Sequence, residues 1–148
     1  MRILKDKSGV SYILMCVIVL FASMLIYAGL EYNSVLSVVE NQKQEVSFEL
    51  DKVIAEVARE KIEDGTPIDE NELTDRAYTA LGFNDTSIQR KDGNGYFMSR
   101  PSFSVATETD ISVEAKYELN MPFRLLDAEV INITVPVSVT AKYYERIN

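Results

Sequence analysis

An uncharged apolar run near the start of the chain is the feature that most restricts its fold. Residues 10–30 read VSYILMCVIVLFASMLIYAGL and contain no Asp, Glu, Lys or Arg. As an α-helix this run would be about 31 Å long, close to the roughly 30 Å thickness of the hydrocarbon core of a bilayer. A surface helix of a soluble domain is rarely apolar on all sides over such a length. We therefore predict a transmembrane helix over residues 10–30.

The flanking charges predict how this helix is oriented. Arg2, Lys5 and Lys7 precede the run, and Glu31 is the first charge after it. Because cytoplasmic flanks are enriched in Lys and Arg, the N-terminus is predicted to be cytoplasmic and the C-terminal part to lie outside. With Asp6 the leader carries +2, so the total of −8 leaves −10 for the rest of the chain. Such an acidic exterior argues against nucleic acid as a partner, since phosphates attract Lys and Arg.

A cleaved secretory signal peptide is the alternative interpretation of the run. The apolar core of a signal peptide usually has about 7 to 15 residues and precedes a small-residue cleavage site. The run in this chain is longer than that, and no convincing site follows it. A retained membrane helix is therefore the preferred interpretation.

The helix is predicted to continue beyond the apolar run. Residues 31–62 contain neither Gly nor Pro, and apolar residues recur there at helical spacings of three, four and seven. The polar stretch at residues 40–45 interrupts this stripe, and the sequence DGTP at residues 64–67 is expected to end the helix. One helix over residues 10–63 would be roughly 80 Å long. The recurring apolar positions are Tyr32, Val35, Val39, Val46, Leu50, Val53 and Val57.

A second, short helix is predicted after this break. Asp69 and Glu72 resemble a capping box at the start of a helix that runs from residue 70 to about residue 81. Gly82 suits its C-cap, because glycine adopts the left-handed conformation without steric cost.

The remaining sequence predicts antiparallel strands. Residues 87–90 and 96–99 flank the sequence DGNG, a strong hairpin-turn signal. Residues 111–119 and 131–143 alternate apolar and polar side chains, as half-buried strands do. Pro136 cannot donate a ladder hydrogen bond, so its strand is predicted to lie at a sheet edge or to be bulged there.

Together these elements predict an α+β fold in which a long N-terminal helix packs on a small antiparallel β-sheet. The first half of that helix is predicted to span the membrane. The predicted organisation is a basic cytoplasmic leader (residues 1–9), a transmembrane helix (10–30), an extramembrane continuation of the helix (31–63) and an α+β domain (64–148).

The residue content argues against catalysis. The chain has no His, which excludes His-based triads and His metal sites. Its single cysteine, Cys16, lies in the apolar run and is interpreted as a small buried apolar residue. The DGNG sequence lacks the later acidic ligand of a calcium loop, so a plain turn is preferred. We predict no enzymatic activity, no cofactor and no metal site.

Two short sequences at the ends of the apolar run suggest a family. Residues 5–9 read KDKSG before the run, and residues 28–32 read AGLEY at its end. With the alternating strands near the C-terminus, they resemble the TadE-like minor pilins (pseudopilins) of tight-adherence pili, which are type IV-like. The resemblance implies a pilin-like fold and fibre assembly through helix-on-helix packing. It places Leu14, Leu20, Leu25, Leu30, Glu31 and Tyr32 on the helix that serves both membrane and assembly.

The resemblance also implies a processing site and a set of partners. A prepilin peptidase would cut between Gly9 and Val10 and remove the basic leader. The partners would be the membrane, other pilin subunits and the pilus assembly platform. Major pilins of this class carry Glu at the fifth position after the cut, whereas this chain has Leu14, followed by Met15. This departure favours a minor subunit that starts or caps a fibre, or an uncleaved accessory.

Two functions remain open from the sequence. The first is a structural minor pilin or pseudopilin that is membrane-anchored and takes part in assembly, initiation or capping of a surface pilus or secretion machine. The second is an uncleaved single-pass membrane accessory or sensor that binds a partner through its outer domain. Processing and extraction at Gly9 would discriminate between them.

Overall fold

The fold combines one very long helix with a curled antiparallel sheet. A computed structural model of the protein describes residues 7–84, 86–91, 95–107, 111–125 and 128–143. In these ranges the α+β class predicted from the sequence is confirmed. The elements are α1 (Lys7–Asp64), α2 (Glu70–Ala80), β1 (Gln89–Lys91), β2 (Phe97–Ser99), β3 (Ser102–Ala106), β4 (Ile111–Leu125) and β5 (Ala128–Tyr143).

Helix α1 is continuous over 58 residues, which makes it about 87 Å long. It contains the apolar run and the predicted continuation without a break. It ends where expected, because Gly65 adopts a φ of 65° and the Thr66 N–H donates to the Lys61 carbonyl at 3.1 Å. This is the hydrogen-bond pattern of a glycine-terminated helix.

Helix α2 begins at the predicted cap but lacks the full capping box. The Asp69 carboxylate accepts the N–H of Asn71 at 2.9 Å, so Asp69 is the N-cap. Glu72 does not reach back to the cap, because its carboxylate bonds to Lys61 and Arg76. The capping-box prediction was therefore wrong for Glu72.

The C-terminal end of α2 differs from the prediction by one position. Leu81, not Gly82, is the C-cap, and Gly82 follows it with a φ of 76°. The next N–H, from Phe83, donates to the Tyr78 carbonyl at 2.9 Å. Gly82 thus supplies the left-handed residue that closes the helix.

Strand β4 is the centre of the sheet. Strand β5 pairs with it along its whole length, while β2 and β3 share the opposite edge and β1 pairs with β2. The predicted hairpin is present as β1 and β2, although residues 92–94 of its turn lie outside the described residues. Strand β3 was not predicted, and β4 and β5 extend beyond the predicted ranges.

A one-residue irregularity separates β2 from β3 along β4. Met98 pairs with Leu119, whereas Ser102 pairs with Lys116, so one extra residue lies on the β2–β3 side. The Ser99 hydroxyl accepts the Glu118 N–H at 2.8 Å and thereby replaces a missing backbone acceptor. The interruption therefore leaves the Glu118 amide hydrogen-bonded.

Pro136 lies on an edge strand, which confirms one of the two predicted settings. In the described residues β5 pairs with β4 alone, and Pro136 faces Glu118. Because the Glu118 N–H points to Ser99, on the other side of β4, this is a non-hydrogen-bonded pair. The Pro136 nitrogen consequently faces the free edge of β5, where no ladder bond is lost.

The core lies between the second half of α1 and the inward face of β4 and β5. Its buried residues on α1 are Val46, Leu50, Val53, Ile54, Val57 and Ala58, and on β4 and β5 they are Val113, Ala115, Tyr117, Leu119, Met121, Val137, Val139 and Ala141. The predicted stripe is confirmed from Val35 onward, where the side chains become partly or fully buried. The prediction that Tyr32 belongs to this buried stripe was wrong, because Tyr32 is 61% exposed. This end of α1 contributes no side chain to the buried cluster.

Candidate functional site

The first half of α1 presents apolar side chains that the rest of the protein does not cover. The four predicted leucines Leu14, Leu20, Leu25 and Leu30 are each at least 60% exposed. The most apolar 18-residue window of the helix has a mean hydropathy of 2.6, and none of it is buried. This segment is long and apolar enough to span a membrane.

Few polar groups lie within the apolar run, and the Ser23 hydroxyl among them is hydrogen-bonded within the helix. The Ser23 hydroxyl donates to the Val19 carbonyl at 2.8 Å, so it can enter an apolar medium without an unmade hydrogen bond. Cys16 is a free, exposed thiol. Tyr12 and Tyr27 are both exposed near the two ends of the run. This surface is chemically suited to lipid or to other apolar helices.

The candidate cleavage bond lies within the first turns of α1. Gly9 and Val10 lie near the N-terminal end of the described part of α1, and Val10 is 54% exposed. A protease needs locally extended backbone, and glycine lowers helix stability by about 1 kcal/mol relative to alanine. Gly9 therefore makes this end of α1 easier to unwind than an all-leucine start would be. One turn further, Leu14 offers no carboxylate to pair with an amine.

Glu31 connects the end of the apolar run to the far end of β4. Its carboxylate accepts the backbone N–H of Arg124 at 3.1 Å. Leu30 and Tyr32 on either side remain exposed. The position of Glu31 and Tyr32 at the end of the apolar run was predictable from the sequence, but this contact was not, because the bonded residue is 93 positions away.

A polar cluster fixes the second half of α1 to the sheet. Gln42 is 4% exposed, and its amide donates to the Tyr96 hydroxyl at 2.6 Å and to Glu45 at 2.8 Å. Arg90 donates to the other oxygen of Glu45 at 3.0 Å and to the Leu81 carbonyl at 2.7 Å. The polar stretch at residues 40–45 was predicted to interrupt the buried stripe. It continues that stripe instead, because Tyr96 supplies the hydrogen bond that a buried amide requires.

Charged residues join α1 to α2 at the other end of the domain. Arg76 contacts Glu60 at 2.6 Å and Glu72 at 2.8 Å, and Lys61 contacts Glu72 at 2.8 Å. The Arg76 hydrogen bond lowers the pKa of Glu60, and the Lys61 hydrogen bond lowers the pKa of Glu72. These ion pairs are solvated, so they orient α2 more than they stabilise it.

The Tyr117 hydroxyl is a buried polar group that has no hydrogen-bond partner among the described residues. Burial raises its pKa to about 12, and the negative charge of Glu45 adds to the shift. The described ranges also contain no group of three or more His, Cys, Asp or Glu side chains placed to hold a metal ion.

Comparisons with known proteins yield no family. The chain matches no protein-family model, and searches of curated proteins and of solved structures gave no significant match. The resemblance to TadE-like pilins therefore depends on residues 5–9 and 28–32 and on the order of the elements.

Proposed function

We propose that the protein is a structural minor pilin or pseudopilin subunit of a Tad or other type IV-like surface pilus or secretion machine. The observation that carries this proposal is the asymmetry of α1. Residues 10–30 keep their apolar side chains exposed, while residues 46–58 are fixed in the core of the domain. An apolar helix surface can exchange lipid contacts for contacts with neighbouring helices at little cost, which is what fibre assembly requires.

The proposed topology places the basic leader in the cytoplasm and the α+β domain outside the cell membrane. Arg2, Lys5 and Lys7 support this orientation, because Lys and Arg are enriched on the cytoplasmic side of a membrane helix. The proposed partners are the membrane, other pilin subunits and the assembly platform. No nucleic acid partner, cofactor or catalytic role is part of the proposal.

Processing between Gly9 and Val10 by a prepilin peptidase is the proposed maturation step. The exposed start of α1 and the glycine before the bond support it. Leu14 supports a minor role, because the side chain that would pair with the new amine of a neighbouring subunit is apolar. The proposed place of the subunit is therefore the start or cap of a fibre.

The second candidate is an uncleaved single-pass accessory or sensor that binds a partner through its outer domain. The same residue, Leu14, favours it, since a chain that never joins a fibre needs no carboxylate there.

The experiment that tests the proposal is the mass and N-terminal sequence of the protein from its own cells, in membrane and sheared-surface fractions. We expect a chain that begins at Val10 in the sheared fraction. A Gly9→Val variant should keep its leader and stay in the membrane fraction. An Ile88→Val variant is the control, because Ile88 is 79% exposed and lies outside α1, away from both the cleavage bond and the proposed assembly helix. A wild-type chain that begins at Met1 and is confined to the membrane would refute the pilin role and support the accessory.

A further inference from the structure

The inward face of the β4–β5 hairpin stays apolar beyond the point where the core ends. On β5 this face runs from Ala141, Val139 and Val137, which are all buried, through the partly buried Val135 and Ile133. It ends at Ile131, which is 58% exposed. A strand face that points at solvent usually becomes polar, so continued apolar side chains indicate another apolar surrounding.

Along strand β4 the apolar side chains of the same face also become less buried towards the hairpin end. Val113 and Leu119 are fully buried, Met121 is 3% exposed, and Phe123 is partly exposed. Phe123 pairs with Ile131 across the hairpin, so the two side chains lie on one face. Phe123, Ile131 and Ile133 together form what we call the hairpin-end patch.

The hairpin-end patch lies at the level of α1 where the membrane-spanning run ends. The Arg124 N–H, next to Phe123, donates to Glu31, and Glu31 directly follows Leu30. Leu30 is 62% exposed and Tyr32 is 61% exposed. Ile131, the exposed residue of the patch, pairs with Phe123 and therefore lies at the level where the exposed apolar surface of α1 ends, while Phe123 and Ile133 are partly buried.

The charged groups at this level suit an interface between lipid and water. The Arg124 and Glu129 side chains are both more than half exposed and lie 3.5 Å apart. A long arginine side chain can keep its charged head in the headgroup layer while apolar neighbours lie deeper. Tyrosines such as Tyr27 and Tyr32 on the adjacent helix prefer the same layer.

We propose that the hairpin-end patch inserts into the outer interfacial layer of the membrane and gives the domain a second contact with lipid beside α1. This inference rests on the proposed membrane crossing of α1 but not on pilus assembly. A second contact would hold the sheet at a fixed height and tilt above the bilayer. A single helix leaves the domain free to rotate and tilt about its exit point.

The chain contains no Trp, so one introduced Trp reports its own surroundings. The full-length Ile131→Trp variant would be reconstituted in phosphatidylcholine vesicles with and without lipid brominated near the headgroup end of the acyl chains. We expect blue-shifted emission and about a twofold loss of fluorescence on bromination, because the ring would lie in the interfacial layer. Phe123→Trp, an aromatic exchange on the same patch, should give the same result if Ile131→Trp does not fold.

Two further variants make the outcomes distinguishable. Ile88→Trp is the matched control at a 79% exposed isoleucine in the part of the domain next to β1, and its emission should not change on bromination. Phe21→Trp, in the middle of the apolar run, should be quenched by lipid that is brominated near the methyl end of the acyl chains if α1 lies in the bilayer, because such bromines lie close to the bilayer centre.

Quenching of Phe21→Trp without quenching of either patch variant would refute the hairpin contact and leave the membrane crossing intact. Blue-shifted patch emission that bromination does not quench would show that protein, such as a second copy, covers the patch, and this also refutes lipid contact. If Phe21→Trp is not quenched, the proposed membrane crossing is refuted, and the hairpin contact with it.

Discussion

The two halves of α1 contain similar apolar residues in opposite surroundings. Leu20 lies near the middle of the first half of α1 and Leu50 near the middle of its second half, yet Leu20 is 66% exposed and Leu50 is 1% exposed. The first half is apolar on all sides, whereas the second carries its apolar residues on one stripe that packs on β4 and β5. The distribution of apolar residues around the helix, more than their number, therefore decides which surface the protein itself covers.

This difference separates two kinds of stabilisation within one element. Residues 46–58 are held by burial in a packed core, so they stabilise the domain directly. Residues 10–30 gain their favourable surroundings only from lipid or from other helices. Substitutions in the first half should therefore change where the protein is found, and substitutions in the second half should change whether it folds.

A cavity in the buried half of α1 should reduce the stability of the domain more than any other change proposed below. Leu50→Ala should lower the free energy of unfolding of the domain by about 2–5 kcal/mol, because Leu50 is fully buried and its neighbours cannot fill the space completely. Leu20→Ala is the matched control and should leave domain unfolding unchanged. The measurement is guanidinium unfolding of the full chain in micelles, followed by near-UV circular dichroism. Equal losses of unfolding free energy in the two variants would show that both halves of α1 stabilise the domain to the same extent, which contradicts the prediction.

A charge in the first half should affect membrane insertion. Leu20→Arg places a cation near the middle of the apolar run, where insertion costs about 2.5–3.5 kcal/mol. We expect a marked loss of the protein from the membrane fraction of its own cells, measured by immunoblot. Phe48→Arg, at a 68% exposed position in the second half, should remain in that fraction. Membrane retention of Leu20→Arg at the wild-type level would contradict the proposed crossing.

The buried Tyr117 hydroxyl predicts an alkaline destabilisation of the domain. Its pKa in the folded state is about 12, above the ordinary value of 10.0. Below pH 10 both states are protonated and stability does not depend on this group. Between pH 10 and 12 only the unfolded state loses the proton, so stability should fall by up to about 3 kcal/mol.

Unfolding measured across this pH range checks that prediction. The Tyr117→Phe variant should lose this part of the pH dependence, whereas Tyr32→Phe, at an exposed tyrosine, should retain it. At neutral pH Tyr117→Phe should be as stable as wild type or more stable, since it removes a buried hydroxyl that has no hydrogen-bond partner in the described ranges. An unchanged alkaline slope in Tyr117→Phe would show that the hydroxyl is not buried as described.

The smallest change in stability is expected for a substitution at Glu31, where the exposed apolar run of α1 ends. Glu31→Ala removes the acceptor of the Arg124 N–H, a hydrogen bond worth about 0.5–1.5 kcal/mol. Hydrogen exchange of the Arg124 amide should become faster by roughly tenfold at most. Glu40→Ala, at an exposed glutamate further along α1, should leave the exchange rate of the Arg124 amide unchanged. If the Arg124 amide exchanges at the same rate in both variants, the hydrogen bond between Glu31 and Arg124 does not protect it, and this prediction is wrong.

The parts of the fold that were predictable depend on local patterns. The length of α1, its end before Gly65 and the cap at Asp69 follow from periodicity and from residues with particular backbone preferences. The long strands follow from alternation, and Pro136 marked an edge because it lacks an N–H. These signals lie within a few residues of the structures that they specify.

The parts that were missed depend on contacts between distant residues. Gln42 is a polar residue by sequence, and only its hydrogen bond to Tyr96, 54 positions away, explains its burial. The Glu31–Arg124 contact and the position of β3 beside β4 are likewise decided by tertiary packing. For the candidate site, the sequence located the exposed apolar half of α1, but it could not show that the hairpin ends at the same level.

The single native cysteine, Cys16, can report whether α1 crosses the membrane. The measurement is labelling by a membrane-impermeant maleimide in spheroplasts or protoplasts. We predict that Cys16 in the wild-type chain stays unlabelled until detergent is added, because it lies in the apolar run. Asn41→Cys in a Cys16→Ser background should be labelled at once, because Asn41 is an exposed residue of α1 in the part that we propose to lie outside the membrane. Immediate labelling of Cys16 would refute the proposed membrane crossing, and labelling of Asn41→Cys only after permeabilisation would refute the proposed orientation.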